Sequence, residues 1–442
     1  MIARTKSGLR GRLGTVKIGA REAILTADGV RAAPGSKTEA TRVSIARMGA
    51  TELKQAVCAA IDEIREELLR LSHGIHAKPE LAFEEREAAA LLCESIRRSG
   101  LEVEVGAYGL ETAFAAEFGS GDAGCVAILA EYDALPEIGH ACGHNIIASA
   151  AVGAGLALFG LADRLPGKVR LLGTPAEERG GGKELMARNG AFDGVDAAMM
   201  VHPAGANLVT MPSLACSEVE VRYRGRASHA SAMPEQGINA LDALVIAYQA
   251  IGALRQHIGI FERIHGIITD GGQAPNIVPE NAAGRFYVRA ANADELATIK
   301  KRVENCFHAG AKATGAELEM DWNEVDYLDI RFNEPLAESY RANAESLGRV
   351  FFPIDKVPAG LAGSTDMGNV SYRVPSIHPM IASAPITCSI HNPEFEQWAG
   401  GEMGDEAAID GAKALAMTAI DYLCDPGLRQ RTRDSFSNSG DQ

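Results

Sequence analysis

A chain of 442 residues, 46% hydrophobic and 23% charged, has the make-up of a soluble globular protein and is too long for one ordinary core. Its net charge of −15 speaks against nucleic acid as a partner, because neutralising phosphates takes a surplus of Lys and Arg. Eight cysteines scattered without paired spacing exclude a disulfide framework, and with no visible secretory signal they point to the cytoplasm.

The first 47 residues hold ten Lys/Arg against three Asp/Glu. Few apolar residues there repeat at a helical period, so residues 1–50 are expected to form a basic, disordered extension, with a transit peptide as the alternative. The first part of a catalytic domain is expected over residues 51–212. Apolar residues recur at helical spacing over 53–71, a loop follows at 73–79, and a second helix over 84–99 stops at Gly100. Short β-like runs at 101–105 and 113–118 precede a continuous apolar run, 125–130, the pattern of a strand buried on both faces. Asp133 lies just past its end, where catalytic groups gather in α/β sheets. The apolar run from 146 to 162 is shorter than the roughly 20 residues that span a bilayer and fits a buried helix, so no membrane association is expected. Strands at 168–173 and 197–201 follow. The first leads into Glu177 and Glu178, and the second delivers His202.

After Pro212 the pattern changes. Strands at 217–223, 265–270, 284–290 and 317–322 alternate with helices at 239–257 and 294–313. That β-α-β-β-α-β order is ferredoxin-like, and it suggests an inserted α+β domain over 213–330. Residues 331–425 are expected to complete the catalytic domain, with a polar tail over 426–442. The fold class is therefore α/β: a three-layer catalytic domain around a central mixed sheet, carrying an inserted lid.

The chemistry concentrates in His140-Ala-Cys-Gly-His144, Glu177-Glu178 and His202. Imidazole, thiolate and carboxylate are the donors that zinc and its neighbours select, and Gly143 permits the sharp turn that lets Cys142 and His144 reach one site. Taken singly, Glu177-Glu178 is an ordinary solvated pair and His202 a core histidine; at the ends of converging strands they read as ligands. Of the two carboxylates, one holds metal while the other stays free to move protons. His140 reads as an orienting or structural residue. Gly180-Gly-Gly-Lys183 lacks the spacing and the Ser/Thr of a phosphate loop, so its glycines are assigned to a close backbone passage.

Seven motifs run in order between about residues 52 and 425 and resemble those of the aminoacylase and carboxypeptidase G class of dinuclear metallopeptidases. They are His76-Ala-Lys-Pro-Glu-Leu81, Asp133-Ala-Leu-Pro136, His140-Ala-Cys-Gly-His144, Pro175-Ala-Glu-Glu178, Val201-His-Pro203, Ser228-His-Ala230 and His391-Asn-Pro-Glu-Phe395. The resemblance implies that Cys142, His144, Glu178, His202 and His391 bind two divalent ions, zinc first, with manganese or cobalt as alternatives. It makes Glu177 the general base and Asp133 a group that orients a ligand. It places His229, Asn276 and Arg289 on the inserted domain within reach of substrate, His229 acting across a homodimer. Two departures from the family pattern stand out: Glu131, where many relatives carry His, and Asn145, where close relatives carry Asp.

On chemical grounds Glu177 would take a proton from a metal-activated water and pass it to the leaving amine, while His229 serves the oxyanion and Arg289 a substrate carboxylate. The expected function is hydrolysis of N-acyl amino acids or dipeptide-like amides. An aminobenzoyl-glutamate or folate-type carboxypeptidase and a catalytically silent metal-binding scaffold remain the alternatives.

Overall fold

A computed structural model describes residues 49–357 and 363–439. The extension expected over residues 1–50 lies outside the described residues except for its last two positions. The first expected helix is two: Ala50–Glu63 and Arg65–His76 meet at Ile64, which leaves the helical region with φ −97° and ψ 10°. The second runs into the first half of the segment expected as a loop and ends at His76, because Leu68, Leu71 and Ile75 keep burying at helical spacing. Gly74 does not break it. A Cβ there would lie 2.8 Å from Leu91 Cδ2, so this glycine serves a close helix–helix approach to Arg86–Arg98.

In chain order the strands are β1 (Glu104–Val105), β2 (Phe114–Phe118), β3 (Cys125–Glu131), β4 (Lys168–Thr174), β5 (Ala197–Met199) and β6 (His202–Ala204). They continue with β7 (Ala215–Arg224), β8 (Arg263–Asp270), β9 (Asn281–Ala290), β10 (Glu317–Trp322), β11 (Ser376–Ile377) and β12 (Met380–Ala382). A six-stranded sheet has the order β1-β2-β4-β3-β5-β11. Its centre, β4-β3-β5-β11, is parallel, and β2 and β1 close one edge antiparallel. Every residue of β3 is buried, as its unbroken apolar run demands. One face is covered by the helices His144–Phe159, Glu402–Cys424 and Ala50–Glu63, the other by the short helices Gly182–Arg188 and Met367–Ser371. The expected strand 197–201 is interrupted: β5 ends at Met199, and His202 opens β6, which pairs instead with β12.

Strands β7 to β10 form a separate antiparallel sheet of order β10-β7-β9-β8, the ferredoxin-like arrangement. Val219, Val221 and Tyr223 on β7 and Phe286 and Val288 on β9 alternate inward onto the helices Ala240–Leu254 and Ala293–Thr314. The opposite face of this sheet, with Glu218, Glu220, Arg285 and Tyr287, borders a cavity. At the other end of the chain, the segment expected as a polar tail contains a helix, Pro426–Ser439, that buries Leu428 and Thr432.

Candidate metal and catalytic centre

Three parallel strands deliver the site from one edge of the sheet. Asp133 follows β3, Glu177 and Glu178 follow β4, and His202 lies just beyond β5. Gly143, at φ 80°, turns the chain into the helix that begins at His144; a Cβ there would meet Pro203 Cγ at 2.6 Å. His391 comes from the loop before the helix Pro393–Ala399, itself at φ 64° and tied to the site by its N–H donating to the Ala141 carbonyl (2.8 Å).

The donor atoms form a chain of short separations. Cys142 Sγ lies 3.4 Å from His202 Nε2 and 3.2 Å from His391 Nε2. Glu178 Oε1 is 3.4 Å from His391 Nε2 and 3.8 Å from His144 Nε2, which in turn is 3.0 Å from Glu131 Oε1. Three groups within this chain are close enough for metal binding: Cys142, His144 and His202; Cys142, Glu178 and His391; and Glu131, His144 and Glu177. All five residues expected as ligands therefore meet. The histidines are also correctly presented. His202 Nδ1 sits 2.8 Å from the Pro203 carbonyl, which can only accept, so Nδ1 carries the proton and Nε2 keeps its lone pair for the cluster. Asp133 accepts from His144 Nδ1 (3.0 Å) and, through its other oxygen, from the Glu178 N–H (2.9 Å), so one carboxylate orients two expected ligands.

The electrostatics call for a cation. Burial, and then the charge of Glu178, hold the Cys142 thiol well above its ordinary pKa, so the thiolate needs a positive partner to form. Burial pushes His202 down to about 4, which keeps its imidazole neutral and fit to bind metal. Glu131 Oε1, His144 Nε2 and Glu178 Oε1 are buried without hydrogen-bond partners. A thiol, imidazoles and carboxylates with unsatisfied atoms aimed at one another suit zinc-type divalent ions.

Glu177 differs from Glu178. Burial, then the charges of Glu131 and Glu178, raise its carboxyl well above the usual range. Its carbonyl accepts from Tyr327 Oη (2.6 Å), and that hydroxyl accepts from the Gly181 N–H (3.1 Å). The residue before it, Ala176, stands at φ 61° and is held there by its N–H donating to buried Glu85 (2.9 Å). Backbone strain of this kind is kept where the surroundings over-determine it.

The remaining expected residues lie on the inserted sheet. Arg289 Nη1 donates to Ser364 Oγ (2.7 Å), in the segment Gly363–Gly368 that enters the helix Met367–Ser371. His229 and Asn276 are exposed on adjacent loops, joined by the Ala230 N–H donating to the Asn276 carbonyl (3.0 Å). Neither bonds to the donor cluster among the described residues. His229 Nδ1 accepts from the Ala232 N–H (3.2 Å), which leaves Nε2 to carry the proton outward as a donor. Sequence reasoning missed Glu85, Tyr327, Lys183 and Asp366. The Gly180-Gly-Gly-Lys183 string hinted at Lys183: at Gly182 a Cβ would meet the Pro175 carbonyl oxygen at 1.9 Å, the close passage expected of those glycines.

The model of peptidase family M20/M25/M40 matches residues 127–420. An Xaa-Arg dipeptidase from Mus musculus is 41% identical over 87% of this chain and 92% of its own. A p-aminobenzoyl-glutamate hydrolase chain from Escherichia coli is 27% identical over 88% of this chain and 96% of its own. Among solved structures, a dinuclear metal-binding peptidase of the M20 family from Bacillus subtilis superposes with a TM-score of 0.61 at 20% identity, covering 82% of this chain and 99% of that one.

Proposed function

This chain belongs to peptidase family M20/M25/M40, whose members similar to it are named hydrolases of amide bonds, and on that footing we propose that it is a dinuclear metal dipeptidase for substrates with a cationic residue. The observation that carries the reading is the meeting of Cys142, His144, Glu178, His202 and His391 beside a buried Glu177 whose carboxyl is raised well above the usual range. Zinc suits the thiolate and imidazole donors best. Held by those five residues, two such ions would supply acidity to a water and polarity to the scissile carbonyl. Glu177 takes the proton of that water and hands it to the departing amine; its raised proton affinity serves the second half of that task. Arg289 clamps the substrate carboxylate, and Asn276 contacts the substrate beside it. His229 Nε2–H, pointing outward, serves the oxyanion of a partner subunit.

The cationic preference rests on the cavity of about 500 Å³ between Glu178–Gly180 and the open face of the inserted sheet. Glu218, Glu220, Asp321 and Glu324 line it against the guanidiniums of Arg179 and Arg285, with Tyr287 as an aromatic wall. Glu220 and Asp321 are direct cross-strand neighbours, a like-charge pairing that Arg222 meets only from the Glu220 side (2.8 Å). A guanidinium or ammonium on the substrate would relieve it. The name Xaa-Arg dipeptidase, carried by the 41%-identical relative, points the same way.

We read the protein as a homodimer, supported by the edge strand β8, whose Ile267 and Ile268 stand exposed. We read the setting as cytoplasmic, a reading that the eight unpaired cysteines support. The reading is tested by comparing kcat/KM for an Xaa-Arg dipeptide, its Xaa-Leu counterpart and aminobenzoyl-glutamate. The Xaa-Arg dipeptide should lead by about tenfold or more, the worth of one charged hydrogen bond. A lead for aminobenzoyl-glutamate would transfer the chain to the carboxypeptidase-type alternative.

A further inference from the structure

Lys183 has no place in the mechanism above, yet its side chain is wholly buried. Its ammonium is ion-paired with Glu131 Oε2 and with Asp366 Oδ1 (2.7 Å), and both carboxylates are as deeply buried as Lys183 itself. Asp366 Oδ2 also accepts from the Lys183 backbone N–H (2.9 Å), so the lysine is fixed at both ends of its side chain. The other oxygen of Glu131 is turned towards the donor cluster. It stands 3.0 Å from His144 Nε2, and neither atom has a hydrogen-bond partner. His144 Nδ1 is already engaged with Asp133. The two unpartnered atoms face each other in a dry interior, and with Glu177 they form one of the groups whose donor atoms lie close enough together to hold an ion. The separation is one that two donors to a single zinc-sized ion, each about 2.0–2.2 Å from it, can keep.

We propose that Glu131 is a further metal-binding residue of this cluster, and that Lys183, braced by Asp366, is the positioning residue that aims it. The inference rests on the metal-hydrolase reading and extends its ligand set. Half of the carboxylate's charge is met by the ammonium and half by the ion, which is why two buried acids and one buried lysine stand together so close to the site. Asp366 sits two residues from Ser364, which receives Arg289, so the same lysine links the metal cluster to the loop beneath the carboxylate clamp.

The test loads metal-stripped protein with Co²⁺ and follows both its visible d–d spectrum and its affinity in competition with a chelator. In Glu131→Gln one site should weaken by about tenfold to a hundredfold, the usual effect of losing a supporting carboxylate or more, and its spectrum should change with the loss of an oxygen donor. Lys183→Met should produce the same spectral change, a result that simple loss of stability would not give. If Lys183→Met does not fold, Glu131→Gln decides alone. Wild-type affinity and spectrum in Glu131→Gln would overturn the proposal and leave Glu131 as an acceptor for a His144 proton. Wild-type protein that takes up no Co²⁺ would instead defeat the metal-hydrolase reading itself.

Discussion

Glu177 and Glu178 are neighbours in sequence and opposites in setting. Glu178 is held below the ordinary carboxylate range: burial opposes this, and the imidazoles of His391 and His144 prevail. Glu177 has burial and like charges acting together and rises instead. One environment keeps an anion for binding, the other keeps a group able to give a proton back. Glu177→Gln should therefore retain both metal equivalents while kcat/KM falls by about 10²–10⁴, as loss of general acid–base catalysis does. Metal analysis and rate measurement on the same preparation check it; loss of metal together with rate would make Glu177 a ligand rather than a base.

At the scale of elements, the strands were legible wherever burial is two-sided. The continuous apolar stretches of β3 and β4 announce themselves, and so do the residues that leave their ends. Positions joined only by the fold were not. Lys183 stands 52 residues from Glu131 and 183 from Asp366, and nothing local marks a buried lysine. The break after Met199 escaped for a related reason: it comes with the pairing of β6 with β12, far along the chain. One helix and one strand also carry a pH response. Cys93, in Arg86–Arg98, and Cys125, at the start of β3, are each pushed up by burial to about 11 from 9.0. Between those values the folded protein binds more protons than the unfolded chain, so the stability they contribute is complete below about pH 9 and is lost as pH rises through about 11. Thermal unfolding should show a falling Tm over that window, with a shallower slope in Cys93→Ala. An unchanged slope would mean that this thiol is not what titrates.

Across the whole molecule, the site is assembled from the catalytic layer and the face of the inserted sheet turned towards it, and the account asks for a second copy to complete it. Ile267 is 64% exposed on an unpaired edge strand, and Ile260 and Phe261 precede that strand, also exposed. An edge so apolar is a surface to be covered. Sedimentation should find a dimer, and Ile267→Glu should shift it to monomer with a loss of turnover, as the role proposed for His229 across the interface requires. Full activity in a monomer would remove that role from His229.

The claim on which everything else stands is that two metal ions are needed for amide hydrolysis. The direct measurement is elemental analysis of the purified protein, together with hydrolysis of an Xaa-Arg dipeptide before chelation, after it, and after metal is returned. The account predicts two equivalents of metal, turnover abolished by the chelator, and recovery on adding zinc back. Undiminished hydrolysis by metal-free protein would contradict it.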